Sequence, residues 1–227
     1  MKRSEINAYI DEAAAFIEKM NFKLPPFVKW TPEDWKTRGK EYNEIRDNML
    51  GWDITDFGFG EYEKRGLLLI TIRNGNQKDK KYLKPYAEKL LIVREGQVTP
   101  YHFHWNKMED IINRGGGNLL IKVYNSTEDG AFDMANPVVV NVDGRQYSVE
   151  PGTVIRLTPG ESITLPQGQY HSFWGEEGCG MVMVGEVSMC NDDNADNRFY
   201  EPQSRFPEVE EDEPARYLLC NEYPTAE

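Results

Sequence analysis

Apolar residues in the N-terminal part of the chain recur with the period of an α-helix. Over residues 4–20 they follow one another at steps of three and four, and Ser4 can cap the first turn. Thr31 is followed by a proline and two acidic residues, which is a typical helix start, and the pattern continues past Gly39 to residues 45–49. The chain therefore begins with two predicted helices, which we expect to pack on the side of a β core.

From residue 66 onward the pattern changes to short apolar stretches, separated by turns that are rich in glycine and proline. The predicted strands cover residues 66–73, 88–94, 98–104, 108–113, 118–125, 137–142, 145–149, 153–157, 162–165, 170–174 and 180–188. Many short strands with frequent turns are typical of a β-sandwich or barrel. The predicted fold class is therefore mainly β.

The C-terminal part of the chain is polar and acidic. Asp and Asn dominate residues 190–197, and a second acidic run covers residues 208–213, which we expect to be a solvated loop. Phe199 and Tyr200 lie between the two runs and indicate that part of the loop folds back onto the body. Residues 215–220 are a candidate for a last strand.

Composition and charge exclude several classes of protein. The chain has 227 residues, of which 39% are hydrophobic, and no apolar run approaches the length of a membrane helix. A net charge of −12 argues against nucleic acid or an anionic membrane as a partner, because both bind basic surfaces. The N-terminus lacks the apolar core of a signal peptide, and three cysteines without zinc spacing are typical of reduced thiols. These features predict a cytoplasmic protein.

All three histidines of the chain fit one metal-binding pattern. His102 and His104 are one residue apart on a predicted strand, so both side chains point to the same face. Glu109 follows on the next predicted strand, and His171 must come from another hairpin brought alongside. Three imidazoles and a carboxylate can hold one metal ion, and on an octahedral ion they leave about two positions for substrate oxygens. We therefore predict that these four side chains form a metal site.

The residues around this site match both motifs of the cupin family. The first motif fits Gly96, His102, His104, Glu109 and Gly116. The second motif fits Gly160, Pro166, Gly168 and His171, with Gly175 at the position where Asn is usual. The Asn is not a metal ligand in the family, so this departure does not affect the predicted site. The resemblance implies a double-stranded β-helix, or jelly-roll, barrel with the N-terminal helices packed on it.

The resemblance extends beyond the motifs. Segments 24–27, 50–57, 84–89, 102–117 and 170–174 resemble the D-lyxose isomerase family of cupins, over the full length of the chain. The resemblance implies a manganese-dependent aldose–ketose isomerase that converts D-lyxose to D-xylulose and D-mannose to D-fructose through a cis-enediol. It also implies Mn²⁺ as the cofactor, or another divalent cation such as Co²⁺, an unphosphorylated sugar as the partner, and a homodimer.

We expect residues 1–227 to form a single cupin domain. In that interpretation residues 1–60 are an N-terminal helical extension and residues 66–190 are the β-barrel core. Residues 191–227 are a C-terminal loop and strand that complete the barrel.

Isomerisation of this kind needs groups that move a proton between C1 and C2 of the sugar. Lys107 lies between two ligands and can polarise or protonate the sugar oxygens. Glu201 and Glu186 compete for the role of the base. We favour Glu201, because its aromatic neighbours would bury the carboxylate at the mouth of the barrel, as suits a proton shuttle. Glu186, Lys89 and Asp192 are candidates for contacts with sugar hydroxyls.

Three other functions are alternatives to the isomerisation of unphosphorylated sugars. Cupins with three histidines and a glutamate also bind Fe(II) and act as dioxygenases, which need oxygen for turnover. A phosphosugar isomerase would need a cluster of Arg and Lys for the phosphate, and no such cluster is evident near the motifs. A non-catalytic sugar-binding or storage cupin does not account for an intact set of four ligands.

Overall fold

The structure, a computed structural model, describes residues 1–192 and 195–226. The helices are α1 (Arg3–Lys19), α2 (Pro32–Trp35) and α3 (Asn43–Asp47), with 3₁₀ turns at Pro26–Lys29 and Lys40–Tyr42. The strands are β1 (Gly51–Thr55), β2 (Leu67–Arg73), β3 (Tyr86–Val93), β4 (Thr99–His104), β5 (Glu109–Gly116), β6 (Leu119–Ser126), β7 (Phe132–Asp133), β8 (Val138–Val142), β9 (Arg145–Val149), β10 (Val154–Leu157), β11 (Ser162–Leu165), β12 (Gln169–Gly175), β13 (Val182–Met189) and β14 (Asn197–Phe199). No helix in this part of the chain is long and apolar enough to cross a membrane.

The strands form two antiparallel sheets that enclose the core. The larger sheet has the order β1-β2-β3-β13-β5-β11-β8-β9, and the smaller one has the order β10-β6-β12-β4-β14, with β7 paired to β6. From β4 to β6, and again from β9 to β14, consecutive strands alternate between the two sheets. This alternation is the jelly-roll arrangement of a double-stranded β-helix. The predicted mainly β cupin fold is confirmed.

Each strand predicted from the apolar pattern is present, and the structure adds β1, β7 and β14. β1 lies within residues 1–60, for which the sequence predicts a helical extension. All five of its residues are buried, so it lacks the polar–apolar alternation that would reveal a strand. β7 and β14 are two and three residues long, too short to show a period. Residues 215–220 contribute a bridge between Leu219 and Trp52 rather than a full strand.

The second predicted helix is wrong in its length. It begins as expected, because Thr31 accepts a hydrogen bond from the backbone of Asp34, but α2 ends at Trp35. Gly39 is extended, and the chain then makes a 3₁₀ turn before α3. The guanidinium of Arg46 donates to the carbonyl oxygens of residues 38 and 39 at 2.6 and 3.0 Å. These carbonyls are therefore satisfied by a side chain instead of a continuing helix.

The first predicted helix is confirmed as α1, which packs on the outer face of the larger sheet. Ile6, Ile10 and Ile17 are buried in a cluster that includes Ile70 of β2 and Leu90 of β3. The helix supplies the apolar stripe and the sheet supplies its outward-facing side chains, so this cluster is separate from the barrel interior.

The interior of the barrel is apolar at one end and polar at the other. Its apolar cluster includes Ile111, Ile121, Ile163 and Val184, all nearly inaccessible to solvent. Two residues along β13 from Val184, Glu186 lies on the same face of the strand but makes an ion pair inside the barrel. The polar end is where most of the predicted site residues gather.

We expect Ile10→Ala to lower the free energy of unfolding by about 2–5 kcal/mol, because it removes a fully buried side chain and leaves a cavity between α1 and the sheet. Urea denaturation of the purified protein measures the change. Lys19→Ala, on the exposed side of the same helix, should stay within about 0.5 kcal/mol of the wild type. Equal effects of the two substitutions would contradict this packing.

Candidate metal centre and active site

The four predicted metal ligands converge inside the barrel. His102 and His104 lie on β4, and His171 lies on β12 directly opposite His102 in the same sheet. Glu109 is the first residue of β5, in the other sheet. One ligand atom from each residue lies within 4.8 Å of the others, and all four side chains are buried. The site therefore joins the two sheets, as the spacing of the residues predicts.

Backbone hydrogen bonds orient two of the imidazoles. His102 Nδ1 lies 2.8 Å from the carbonyl oxygen of Pro100, and His171 Nδ1 lies 3.1 Å from that of Gln169. A carbonyl oxygen only accepts, so each Nδ1 carries the proton and donates it. The Nε2 atoms are then left with a lone pair that points into the site, as is usual for histidines that bind a metal.

The ligand atoms face one another without a donor between them. The Nε2 atoms of His104 and His171 lie 3.3 and 3.2 Å from Glu109 Oε1. Among the described residues neither nitrogen has a hydrogen-bond partner. Buried acceptors without partners require an explanation, and a cation at their centre would satisfy them together. The residues present fit a divalent metal ion.

Protonation states favour the same conclusion. Burial lowers the pKa of His102 and His104 below the usual value for histidine, and the nearby Lys107 ammonium adds to the effect on His104. Burial alone would raise the pKa of Glu109, but attraction to Lys107 and His104 outweighs it and holds that pKa well below the usual value. Two neutral imidazoles and an ionised carboxylate are the forms that bind a metal.

Lys107 lies in the turn between β4 and β5, beside the ligands. Its Nζ is 2.8 Å from Glu109 Oε2, 2.8 Å from Glu186 Oε1 and 3.2 Å from the side-chain oxygen of Asn191. The turn is fixed by Asp196, whose carboxylate accepts hydrogen bonds from the backbone N–H groups of residues 106 and 107 at 2.7 and 3.0 Å. A short turn held in this way points the ammonium inward.

Glu186 and Lys89 complete the charged wall of the site. They are paired across β13 and β3, and Lys89 Nζ is 3.6 Å from Glu186 Oε1. Both side chains are buried. Together with Lys107 and Glu109 they form a set of two ammonium groups and two carboxylates, so their charges balance inside the barrel.

A cavity of about 60 Å³ is lined by three of the ligands, His102, His104 and Glu109, together with the two lysines and Glu186. Its walls are partly aromatic, and the ring of Phe199 on β14 lies 5.3 Å from that of His102. The lining comprises Thr55, Phe57, Leu67, Leu69, Lys89, Leu91, Thr99, His102, His104, Lys107, Glu109, Ile111, Phe173, Glu186, Asn197, Phe199 and Arg205. Apolar walls with a few charged groups are typical of a site for a small molecule.

Two of the predicted site residues lie elsewhere. Glu201 is exposed, with 64% of its side chain accessible, and its carboxylate forms an ion pair with Arg65 at 3.8 Å. Asp192 forms an ion pair with Lys78 at 2.7 Å and lines a neighbouring cavity rather than this one. The structure brings Lys107, Lys89 and Glu186 to the ligands and does not bring Glu201 or Asp192 to them.

Sequence reasoning missed three polar residues that shape the site. Asn191 contacts Lys107, Asp196 fixes the turn that carries Lys107, and Arg205 lines the cavity. Asn191 and Asp196 belong to a run of Asp and Asn that resembles a solvated loop. The one available signal was the aromatic pair at residues 199 and 200, which indicated that this loop folds back.

The departure from the second cupin motif has a packing reason. A Cβ atom on Gly175 would lie 2.7 Å from the carbonyl oxygen of Arg94, closer than any real contact. The two backbones approach because Gly175 N–H donates to that carbonyl at 3.1 Å. The carbonyl oxygen of Gly175 accepts a hydrogen bond from the backbone N–H of Gly96 at 2.9 Å. Glycine at this position closes the end of β12 far from the ligands.

The chemistry available at the site is metal-assisted proton transfer. The four-residue group could hold a metal ion as a Lewis acid, and a carboxylate and two ammonium groups lie beside it. The structure as a whole is similar to the L-ribose isomerase of Cellulomonas parahominis, with a TM-score of 0.61, 16% identity and coverage of 92% of this chain and 98% of that chain. This likeness shows the fold.

Comparison of the sequence gives the family. The D-lyxose isomerase family model matches residues 1–223. The chain is 49% identical over 225 residues to the D-lyxose/D-mannose isomerase of Serratia proteamaculans and 47% identical over 224 residues to that of Escherichia coli O157:H7. Each alignment covers 98% of this chain and 98% of the relative. With its whole length matched in this way, the chain belongs to the D-lyxose isomerase family of sugar isomerases.

Proposed function

We propose that this protein interconverts D-lyxose and D-xylulose, and D-mannose and D-fructose, by proton transfer through a cis-enediol. The observation that carries the proposal is the buried ion pair between Lys107 and Glu186, 2.8 Å apart, in the same cavity as the metal ligands. The choice of sugars follows the relatives, which are named D-lyxose/D-mannose isomerases. No step needs a phosphate group or oxygen.

His102, His104, Glu109 and His171 would hold the metal, and we propose Mn²⁺, with Co²⁺ as a substitute. None of these ligands is a thiolate, which disfavours soft ions, and the carboxylate suits manganese. A divalent ion bound there would supply a Lewis acid for the carbonyl oxygen and the adjacent hydroxyl of the open-chain sugar.

In this proposal Glu186 is the base. Its carboxylate removes the C2 proton of the aldose, the electron pair forms the C1–C2 double bond, and O1 takes up a proton. Protonated Glu186 then returns its proton to C1, while O2 loses its hydroxyl proton and becomes the carbonyl oxygen. Lys107 donates hydrogen bonds to O1 and O2 and carries the proton between them. In total, one proton moves from C2 to C1 and one from O2 to O1, and the sugar gains or loses no atoms.

Burial and position in the cavity favour Glu186 over Glu201 as the proposed base. Glu186 shares the cavity with the ligands, whereas Glu201 lies outside it and is exposed. A base must come within hydrogen-bond reach of the proton that it removes. Glu201 is surrounded by solvent, so water would not be excluded from a reaction there. Lys89 remains a proposed contact for the sugar hydroxyls, and Asp192 a contact for the part of the sugar remote from C1.

We also propose that the chain is a single domain and a cytoplasmic protein. Arg3 of α1 bonds to Glu211 and Glu222 near the C-terminus, so the two ends of the chain are tied together on one body. Cys179 and Cys190 are thiols, as is usual in a reducing compartment. The net charge of −12 supports a small sugar, rather than nucleic acid or a membrane, as the partner.

Finally, we propose a homodimer that forms through the outer face of β3 and β13 beyond the reach of α1. Side chains alternate between the two faces along β13, and Glu186 and Ser188 face the interior of the barrel. Val187 and Met189 therefore point away from it. Tyr86 is the partner of Met189 on β3. The three side chains are 41–49% exposed on the outer face of the sheet, where apolar groups favour association.

Removal of the metal should abolish turnover. In an anaerobic assay, we expect EDTA-treated protein to lose the conversion of D-lyxose to D-xylulose, and we expect added Mn²⁺ to restore it. His171→Ala should lose both bound metal and activity, because one of four ligands is gone. Metal analysis and an anaerobic ketose assay measure these effects. Glu176→Gln, on the surface beside Arg156, is the control and should retain both. A His171→Ala protein that binds Mn²⁺ like the wild type would show that the ligand set is wrong.

Loss of the base should slow the chemical step. We expect Glu186→Gln to lower kcat by about a thousandfold with metal content unchanged, because the amide cannot accept the C2 proton. Exchange of the C2 proton in deuterated water, followed by NMR, should fall to the same extent. Glu201→Gln is the matched variant and should stay within about twofold of the wild type. The opposite ranking of the two variants would return the role of base to Glu201.

Charge on the outer face should separate the dimer. We expect the wild type to have the mass of a dimer in light scattering and Met189→Glu to have that of a monomer, because a carboxylate would be desolvated at the interface. Val139→Glu changes a side chain that is equally exposed, on β8, and should remain dimeric. A monomeric wild type, or a dimeric Met189→Glu, would refute this interface.

A further inference from the structure

A second polar cavity adjoins the metal cavity. It encloses about 170 Å³ between β1, β2 and the segments that precede and follow them. Side chains that can hydrogen-bond to hydroxyl groups dominate its lining, including Asn48, Asn74, Gln77, Lys78, Asn191 and Asp192. None of these residues is a proposed metal ligand or base. A cavity with this lining suits an uncharged polyhydroxylated group.

The two cavities share a wall. Arg205 lines both of them. Asn191 lines the second cavity and accepts a hydrogen bond from Lys107, which lines the first. Thr71 of the second cavity is the strand partner of Lys89 in the first. The second cavity therefore lies next to the metal cavity, on the other side of Arg205.

An ion pair stands at this boundary. The guanidinium of Arg205 donates two hydrogen bonds to the carboxylate of Asp53, one of them at 3.2 Å, in the fork geometry of a bidentate pair. Asp53 is only 1% exposed, so the carboxylate is fixed within β1. The guanidinium also lies over the ring of Phe206, 4.6 Å from its centre. The side chain of Arg205 is thereby held in place as a partition.

The metal cavity is the smaller of the two, at about 60 Å³. Once C1 and C2 of an open-chain sugar lie at the ligands, the rest of the chain must extend away from them. The second cavity, at about 170 Å³, offers the adjoining space.

We propose that the second cavity receives the end of the open-chain sugar remote from C1. In this proposal the Arg205–Asp53 pair limits how far the chain extends, and so sets the preference between pentoses and hexoses. The inference rests on the proposed isomerase function. D-Lyxose and D-mannose have the same configuration from C2 to C4 and differ by one CHOH unit at the remote end. Their difference therefore falls at the partition.

The experiment compares the two aldoses in matched variants loaded with Mn²⁺. Arg205→Ala removes the partition and joins the cavities, so we expect the ratio of kcat/KM for D-mannose to that for D-lyxose to rise by about threefold or more, mainly through KM. Arg205→Lys keeps the charge without the fork and should give a smaller rise. Arg145→Ala removes an exposed arginine of β9 and should leave the ratio unchanged. Metal content should stay constant throughout.

Gln77→Trp tests the far side of the second cavity. The larger side chain would fill space that only the longer sugar needs, so we expect the same ratio to fall by about threefold or more. A change of less than threefold in Arg205→Ala overturns the proposal. If that variant does not fold, as judged by circular dichroism, Gln77→Trp decides by the same threshold. A wild type that converts neither sugar would refute the proposed function instead, before any ratio is compared.

Discussion

The structure depends on one buried carboxylate. Glu109 lies inside the barrel with almost no exposure, and burial of an ionised group costs several kcal/mol unless partners compensate for it. Lys107, at 2.8 Å, compensates for it. The same ammonium bonds to Glu186, whose second cation is Lys89. Loss of one member would leave a buried charge without its counterpart, so these charges help to hold β5, β13 and β3 in register.

The ligand set could be predicted because the information is local. Alternation along a strand places His102 and His104 on one face, and turns rich in glycine place Glu109 and His171 on neighbouring strands. The strand pattern was equally legible, since most strands have one face toward the core. β1 escaped because both of its faces are buried, the inner one by the barrel and the outer one by α1.

The burial that leads us to propose Glu186 as the base is not visible in the local sequence, because it depends on segments that are distant in sequence. Local sequence favoured Glu201, which has aromatic neighbours but is exposed in the fold. Glu186 is buried because β3 and β5 flank it, with Lys89 and Ile111 as its strand partners. The length of the second helix escaped prediction for the same reason, since Arg46 takes the carbonyls of the turn by contacts that no helical period encodes.

Described residues of the acidic segment that follows β13 line the two cavities and hold Lys107 in place. Asn191 bonds to Lys107, Asp196 fixes the turn that carries it, and the ring of Phe199 covers His102. Such a segment does not ligate the metal, yet its contacts set where the ammonium points and how much room a sugar has. Sugar preference can therefore depend on this segment as well as on the ligands, because its residues shape the cavity and set the position of Lys107.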